Sequence, residues 1–220
     1  MKKIIVLLMV SLIVLFSFSL NANANSTLIL VDPGHGGIDG GTGRGQLLEK
    51  NLNLDISLRT RDWLQKEGFV VKLTRESDTD LSSAYPSPIQ SRHKRDLQNR
   101  LVMIRKESPA LFISIHVNSS TQPKDKGPLV FYAVESEKGK ELATEVQSAL
   151  NQVAMSTQRP VGRKNLFLIR HAPCPGVLAE MGFVTNDTDA LRLLDASYRD
   201  RMARAIAEAV QRYLQWSIRS

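Results

Sequence analysis

At 220 residues, 42% hydrophobic and 23% charged, the chain has the length and composition of one globular domain, which excludes fibrous and disordered classes. A lone cysteine, Cys174, excludes an internal disulfide framework, so packing must supply the stability. The formal charge of +7 falls to +5 without residues 1–24, which hold Lys2 and Lys3 and no acid; the excess favours a polyanionic partner and leaves its kind open.

Met1-Lys-Lys is followed by an apolar stretch from Ile4 to Leu20 and then by Ala22-Asn23-Ala24, which has the form of a small-residue cleavage site. Residues 1–24 therefore read as an export signal, either cleaved or kept as a membrane anchor. The run lacks a polar face, which argues against a buried amino-terminal helix. Export and the lack of an aromatic stacking platform argue against nucleic acid and for an envelope polymer. The domain proper is expected over residues 25–220, with membrane contact only through the amino-terminal segment.

Next comes Ile29-Leu-Val-Asp-Pro-Gly-His-Gly-Gly, an apolar run that stops at Asp32-Pro33 and delivers His35 into a glycine-rich turn. Such a run reads as a buried strand, and the carboxyl ends of strands are where α/β proteins build their sites. A helix is expected from Glu49 to Glu67, ended by Gly68, and a strand from Phe69 to Thr74. Residues 76–90 have loop composition and are long for a plain connection, which points to a functional surface loop. A basic helix follows from about Ser91 to Glu107, burying Leu97, Leu101 and Ile104. Its charges Arg92, Lys94, Arg95, Arg100 and Arg105 read as a solvated face.

Leu111-Phe-Ile-Ser-Ile-His is a second buried run and ends in His116. A strand over Leu129–Val134 precedes a helix striped by Leu142, Val146, Leu150 and Val153. Strands over Leu166–Ile169 and Val177–Glu180 complete a sheet of about six. Helices over 187–194, capped by Asn186, and over about 197–214 close the chain. Alternating strands and helices imply an α/β fold with a largely parallel sheet covered on both faces.

His35 between glycines lacks both the P-loop lysine and the dinucleotide-binding spacing, which leaves metal ligation as the better reading. Glu49 by itself would be an ordinary helix-start acid, and its assignment rests on the neighbouring motif. His116 would be a core histidine if it stood alone, but two histidines at the ends of two buried strands favour ligation. Glu180 ends a strand where an unpaired charge is costly, so something must compensate it. Two imidazoles and a carboxylate make the ligand set of an open catalytic zinc site, with a second carboxylate as general base. His93 and His171 read as surface residues, and Cys174 as a loop residue between two prolines.

Val31-Asp-Pro-Gly-His-Gly-Gly, Leu48-Glu-Lys-Asn-Leu-Asn-Leu, Ile113-Ser-Ile-His-Val-Asn and Leu178-Ala-Glu-Met-Gly-Phe-Val-Thr-Asn resemble, in order and spacing, the motifs of the zinc-dependent N-acetylmuramoyl-L-alanine amidases of the AmiC-like type. The match runs from Thr27 to Leu214. Thr74-Arg-Glu-Ser-Asp-Thr-Asp-Leu and Ser91-Arg-His-Lys-Arg-Asp-Leu-Gln-Asn-Arg are similar to the spore-cortex, germination-specific CwlD-type branch. The resemblance implies a three-layer αβα fold around a six-stranded sheet, zinc held by His35, Glu49 and His116, and Glu180 as catalytic acid/base. It implies peptidoglycan as substrate, cleaved between N-acetylmuramic acid and L-alanine, as the first step towards muramic-δ-lactam. A muramic-acid deacetylase would complete that step, a partner lipoprotein is a candidate activator, and action is expected in the cell wall or the intermembrane space of the forespore. The rival readings are a zinc carboxypeptidase on wall peptides, a vegetative division amidase, and a non-catalytic wall-binding protein.

Overall fold

The structure is a computed structural model and describes residues 27–122 and 124–217. The expected export segment, residues 1–24, lies outside the described residues.

The chain enters as β1 (Leu28–Pro33) and passes through a hairpin of β2 (Gly43–Arg44) and β3 (Leu47–Leu48) into α1 (Glu49–Lys66) and β4 (Val70–Leu73). It continues through α2 (Arg92–Glu107), β5 (Leu111–Asn118), β6 (Leu129–Ala133), α3 (Glu137–Ala154), β7 (Val161–Arg163) and α4 (Phe167–His171). The last elements are β8 (Gly176–Phe183), α5 (Asp187–Leu194) and α6 (Ala196–Ser217). The main sheet has six strands in the order β4-β1-β5-β8-β6-β7. All neighbours run parallel except β6 and β8. Because β1 and β5 have parallel neighbours on both sides, each is walled in by strands and by helices. That explains why both read as unbroken apolar runs rather than as alternating ones.

Period-two alternation sorts the strand residues onto two faces. Ile29 and Val31, Leu111, Ile113, Ile115 and Val117, and Val177 and Ala179 pack into one apolar cluster with α1, α3 and α6. Leu30, Phe112 and Leu178 pack the other way with Leu101 and Ile104 of α2 and Leu168 and Ile169 of α4. The result is the three-layer αβα architecture expected of the chain. Helix starts are built as read: the Asn186 side chain accepts from the backbone N–H of Thr188 and Asp189, and Ser91 and Ser136 cap α2 and α3. No helix among the described residues is long and apolar enough to cross a membrane.

One expected strand is wrong. Leu166–Ile169 is not in the sheet: Phe167–His171 forms α4, and the sixth strand is Val161–Arg163. A four-residue apolar run reads equally well as a strand or as one buried turn of helix. Here Leu168 and Ile169 are buried as adjacent residues on a helical turn. The true strand lies at the sheet edge with a single large apolar residue, Val161, and so carries no hydrophobic run.

Candidate metal centre

The carboxyl ends of β1, β5 and β8 meet above the middle of the sheet, and α1 begins there. His35 lies just past β1, His116 is in β5 and Glu180 is its direct neighbour in β8. Glu49 is the first residue of α1 and is 4% exposed. The Nε2 of His35 lies 3.1 Å, and the Nδ1 of His116 3.0 Å, from the same Glu49 Oε1. Two close approaches require glycine. A Cβ on Gly34 would meet the His116 ring at 2.2 Å, and one on Gly41 would meet Glu49 Oε2 at 2.4 Å.

His35 and Glu49 are each held from behind. Asp39 Oδ2 lies 3.0 Å from Nδ1 of His35, so a carboxylate holds the ring nitrogen that faces away from Glu49. Carboxylate–histidine pairs of this kind fix ring orientation and raise basicity at metal centres. Glu49 Oε2 accepts from the Thr42 backbone N–H at 2.8 Å, and Oε1 accepts from Val117 N–H at 3.2 Å. Burial opposes protonation of His35, but Glu49 and Asp39 outweigh it and raise the imidazole to about 9. Burial likewise opposes ionisation of Glu49, yet bonds from His116 and His35 hold its carboxyl far below the usual range.

One donor atom from each of His35, Glu49 and His116 lies within 4.8 Å of the others. Two imidazoles and a carboxylate suit an open, catalytic type of metal site, and Glu180 completes the fit. Its Oε2 is shut off from solvent with no hydrogen-bond partner. Burial raises its carboxyl to about 7, and His116, Glu49 and His35 are all within electrostatic reach. A buried carboxyl oxygen with nothing to bond, beside three converging donors, is a set of groups that an ion and its water would fit. The four residues singled out in the sequence are thus brought to one place, while the other two histidines stay outside it. His93 is exposed, with Nδ1 3.7 Å from Asp39, and His171 packs on Phe167. Cys174 is half-buried against the apolar cluster on the α2 side and is not among the converging donors, and burial raises its thiol to about 11.

The chain matches the model of the N-acetylmuramoyl-L-alanine amidase family over residues 29–212. The chain belongs to the N-acetylmuramoyl-L-alanine amidase family. It is 36% identical over 187 residues to the germination-specific N-acetylmuramoyl-L-alanine amidase of Bacillus subtilis, covering 84% of this chain and 79% of the relative. Among solved structures it is similar to the CwlD amidase from Clostridioides difficile in complex with the GerS lipoprotein, with a TM-score of 0.80, 32% identity and coverage of 86% and 98%. It is also similar to an N-acetylmuramoyl-L-alanine amidase from Clostridium difficile 630, with a TM-score of 0.75, 28% identity and coverage of 87% and 98%. As an amidase of this family the chain is a peptidoglycan hydrolase, and its work is extracytoplasmic.

Sequence reasoning missed what stands behind the site. Arg100, taken for part of a solvated face, is 1% exposed. It donates to Asp32 at 2.6 Å and to Asp96 at 2.8 Å. Asp32 also accepts from the hydroxyls of Thr74 and Ser114, each at 2.6 Å. Burial pushes the Asp32 carboxyl up, but Arg100 and the two hydroxyls outweigh it and hold it at about 2. The available signal was Asp32 itself, an acid closing a buried apolar strand and in need of a buried cation. Asp39 had no such signal, since an acid in a glycine-rich loop is unremarkable.

Proposed function

We propose that His35, Glu49 and His116 hold a catalytic zinc ion and that Glu180 is the acid/base of a peptidoglycan amidase acting in spore-cortex maturation. The observation that carries this reading is the orphaned Oε2 of Glu180, on a carboxyl that burial raises to about 7. A group whose pKa lies near the working pH is equipped both to take and to return a proton. Zinc, when bound, lowers the pKa of water and polarises the scissile carbonyl. Glu180 takes the proton as water adds to the lactyl carbonyl carbon, then delivers it to the nitrogen of the departing L-alanine. His35 and His116 stay neutral as ligands, with Asp39 and the Glu49 carboxylate keeping their rings in place.

The cortex assignment is supported by the likeness to the germination-specific amidase of Bacillus subtilis and to the CwlD amidase. Peptide removal would be the first step towards muramic-δ-lactam, with a muramic-acid deacetylase completing it. The CwlD structure is a complex with a lipoprotein, and a lipoprotein is the corresponding partner for this chain. Residues 1–24 would export the enzyme to the intermembrane space of the forespore, either as a cleaved signal or as a retained anchor through which it would contact the membrane. Deleting the gene should leave growth and division normal and yield spores whose cortex lacks muramic-δ-lactam and which fail to complete germination. Chained vegetative cells with a normal cortex would place the enzyme in cell separation instead.

A further inference from the structure

Three consecutive backbone carbonyls, those of Pro33, Gly34 and His35, lead from the end of β1 to the first histidine of the site. Arg100 donates Nη1 to Pro33 O at 2.8 Å and Nη2 to His35 O at 2.7 Å. Arg75 donates Nε to Pro33 O and Nη2 to Gly34 O, both at 3.0 Å. Asn53, one turn after Glu49 in α1, adds a bond to Gly34 O at 3.1 Å. Side chains from three separate parts of the fold therefore converge on one short stretch of backbone.

That stretch ends in an unfavourable conformation. His35 has φ 59°, in the left-handed region that non-glycine residues mostly avoid. Strained residues of this kind persist only where their surroundings over-determine them. The two guanidiniums supply that constraint at a cost, since both are buried and the charge of one bears on the other. Burial, joined by the repulsion of Arg100, lowers Arg75 to about 10. Asp32 and Asp96 pair directly with Arg100; they and Asp78 favour the Arg75 charge only through space, and the Arg75 hydrogen bonds go to backbone carbonyls, including those of Lys50 and Ser77. Arg75 thereby links the turn bearing His35 to the first turn of α1, which bears Glu49.

We propose that Arg75 and Arg100 are positioning residues for metal capture, holding the left-handed backbone of His35 so that its ring stands ready against Glu49 before an ion arrives. The proposal rests on the reading of His35, Glu49 and His116 as metal ligands. Removing partners that orient metal ligands typically lowers affinity about 10–100-fold. Arg75→Lys keeps the charge and leaves no buried carboxylate unpaired, whereas Arg100→Lys removes the fork that spans Pro33 and His35.

The test measures zinc affinity of the wild type and both variants by competition with a chromophoric chelator, together with thermal unfolding of the metal-free proteins and the visible spectrum of bound cobalt(II). The expected result is a 10–100-fold loss of affinity in Arg75→Lys with metal-free unfolding close to wild type, an altered cobalt spectrum, and activity that recovers as zinc is raised. Arg100→Lys should lose at least as much affinity, and if it does not fold Arg75→Lys still decides. A folded Arg75→Lys with unchanged zinc affinity and cobalt spectrum overturns the proposal. A wild type that binds no zinc overturns the ligand reading, and the positioning role with it.

Discussion

The two faces of the sheet are built from the same strands and differ in kind. Towards α1, α3 and α6 the strand residues are apolar along their whole length, from Ile29 to Val31, Leu111 to Val117 and Val177 to Met181. Towards α2 the same strands begin apolar, with Leu30, Phe112 and Leu178. They turn polar at their carboxyl ends, with Asp32, then Ser114 and His116, then Glu180. One face is apolar along its strands and sets stability. The other exchanges apolar burial for a network of charges that fixes where the site residues stand. Buried polar groups are tolerable only when satisfied, and on that face, among the described residues, Glu180 Oε2 is left without a partner.

The largest effect is expected from Glu180→Gln, which keeps shape and bulk and abolishes proton acceptance. Turnover should fall about 10²–10⁴-fold with metal still bound and without rescue by excess zinc. Loss of metal together with activity would make Glu180 a ligand instead. On the apolar face, Leu150 of α3 is fully buried, and Leu150→Ala should cost about 2–5 kcal/mol in urea unfolding while leaving the metal affinity of the folded protein unchanged. A shift in metal affinity there would mean that the two faces are not independent.

Asp39→Ala removes the acceptor behind His35, and metal affinity should drop about 10–100-fold by calorimetry. The same experiment carries a proton signature. His35, raised to about 9, is protonated at pH 7 in the metal-free protein, whereas a ligand must be neutral. Uptake at pH 7 should therefore release a proton, with affinity rising about tenfold per pH unit until about pH 9. In Asp39→Ala, part of that dependence should vanish.

The smallest effect concerns acid. Asp32 moves from 3.8 to about 2 on folding, a depressed carboxylate whose contribution is present above about pH 4 and lost as pH falls through 2. The shift corresponds to roughly 2 kcal/mol. Asp32→Asn should thus lose roughly 2 kcal/mol less than wild type between pH 5 and pH 2, read from urea midpoints. Equal losses would remove Asp32 from the acid response.

The apolar face was legible in the sequence because it is written in periodicity: the stripe of Leu142, Val146 and Leu150 and the runs of β1 and β5 admit one reading. His35, His116 and Glu180 were legible because each is a polar residue that ends an apolar run. What escaped was whatever depends on contacts distant in sequence. Arg100 looks like its neighbours Arg92 and Lys94, and only the fold shows that it meets Asp32, 68 residues away. The edge strand Val161–Arg163 and the apolar turn at Phe167–His171 escaped because segments this short carry no period.

The central claim is that the two faces together present a metal-dependent amidase for the bond between muramic acid and L-alanine. It is tested most directly by digesting purified peptidoglycan with the protein, with and without zinc, and analysing the products by mass spectrometry. The account predicts peptide-free glycan and stem peptides with a newly exposed amino-terminal L-alanine, formed only when zinc is present. Glycan that keeps its L-alanine while the stem peptides are shortened, or equal release in the presence of a strong chelator, would contradict it.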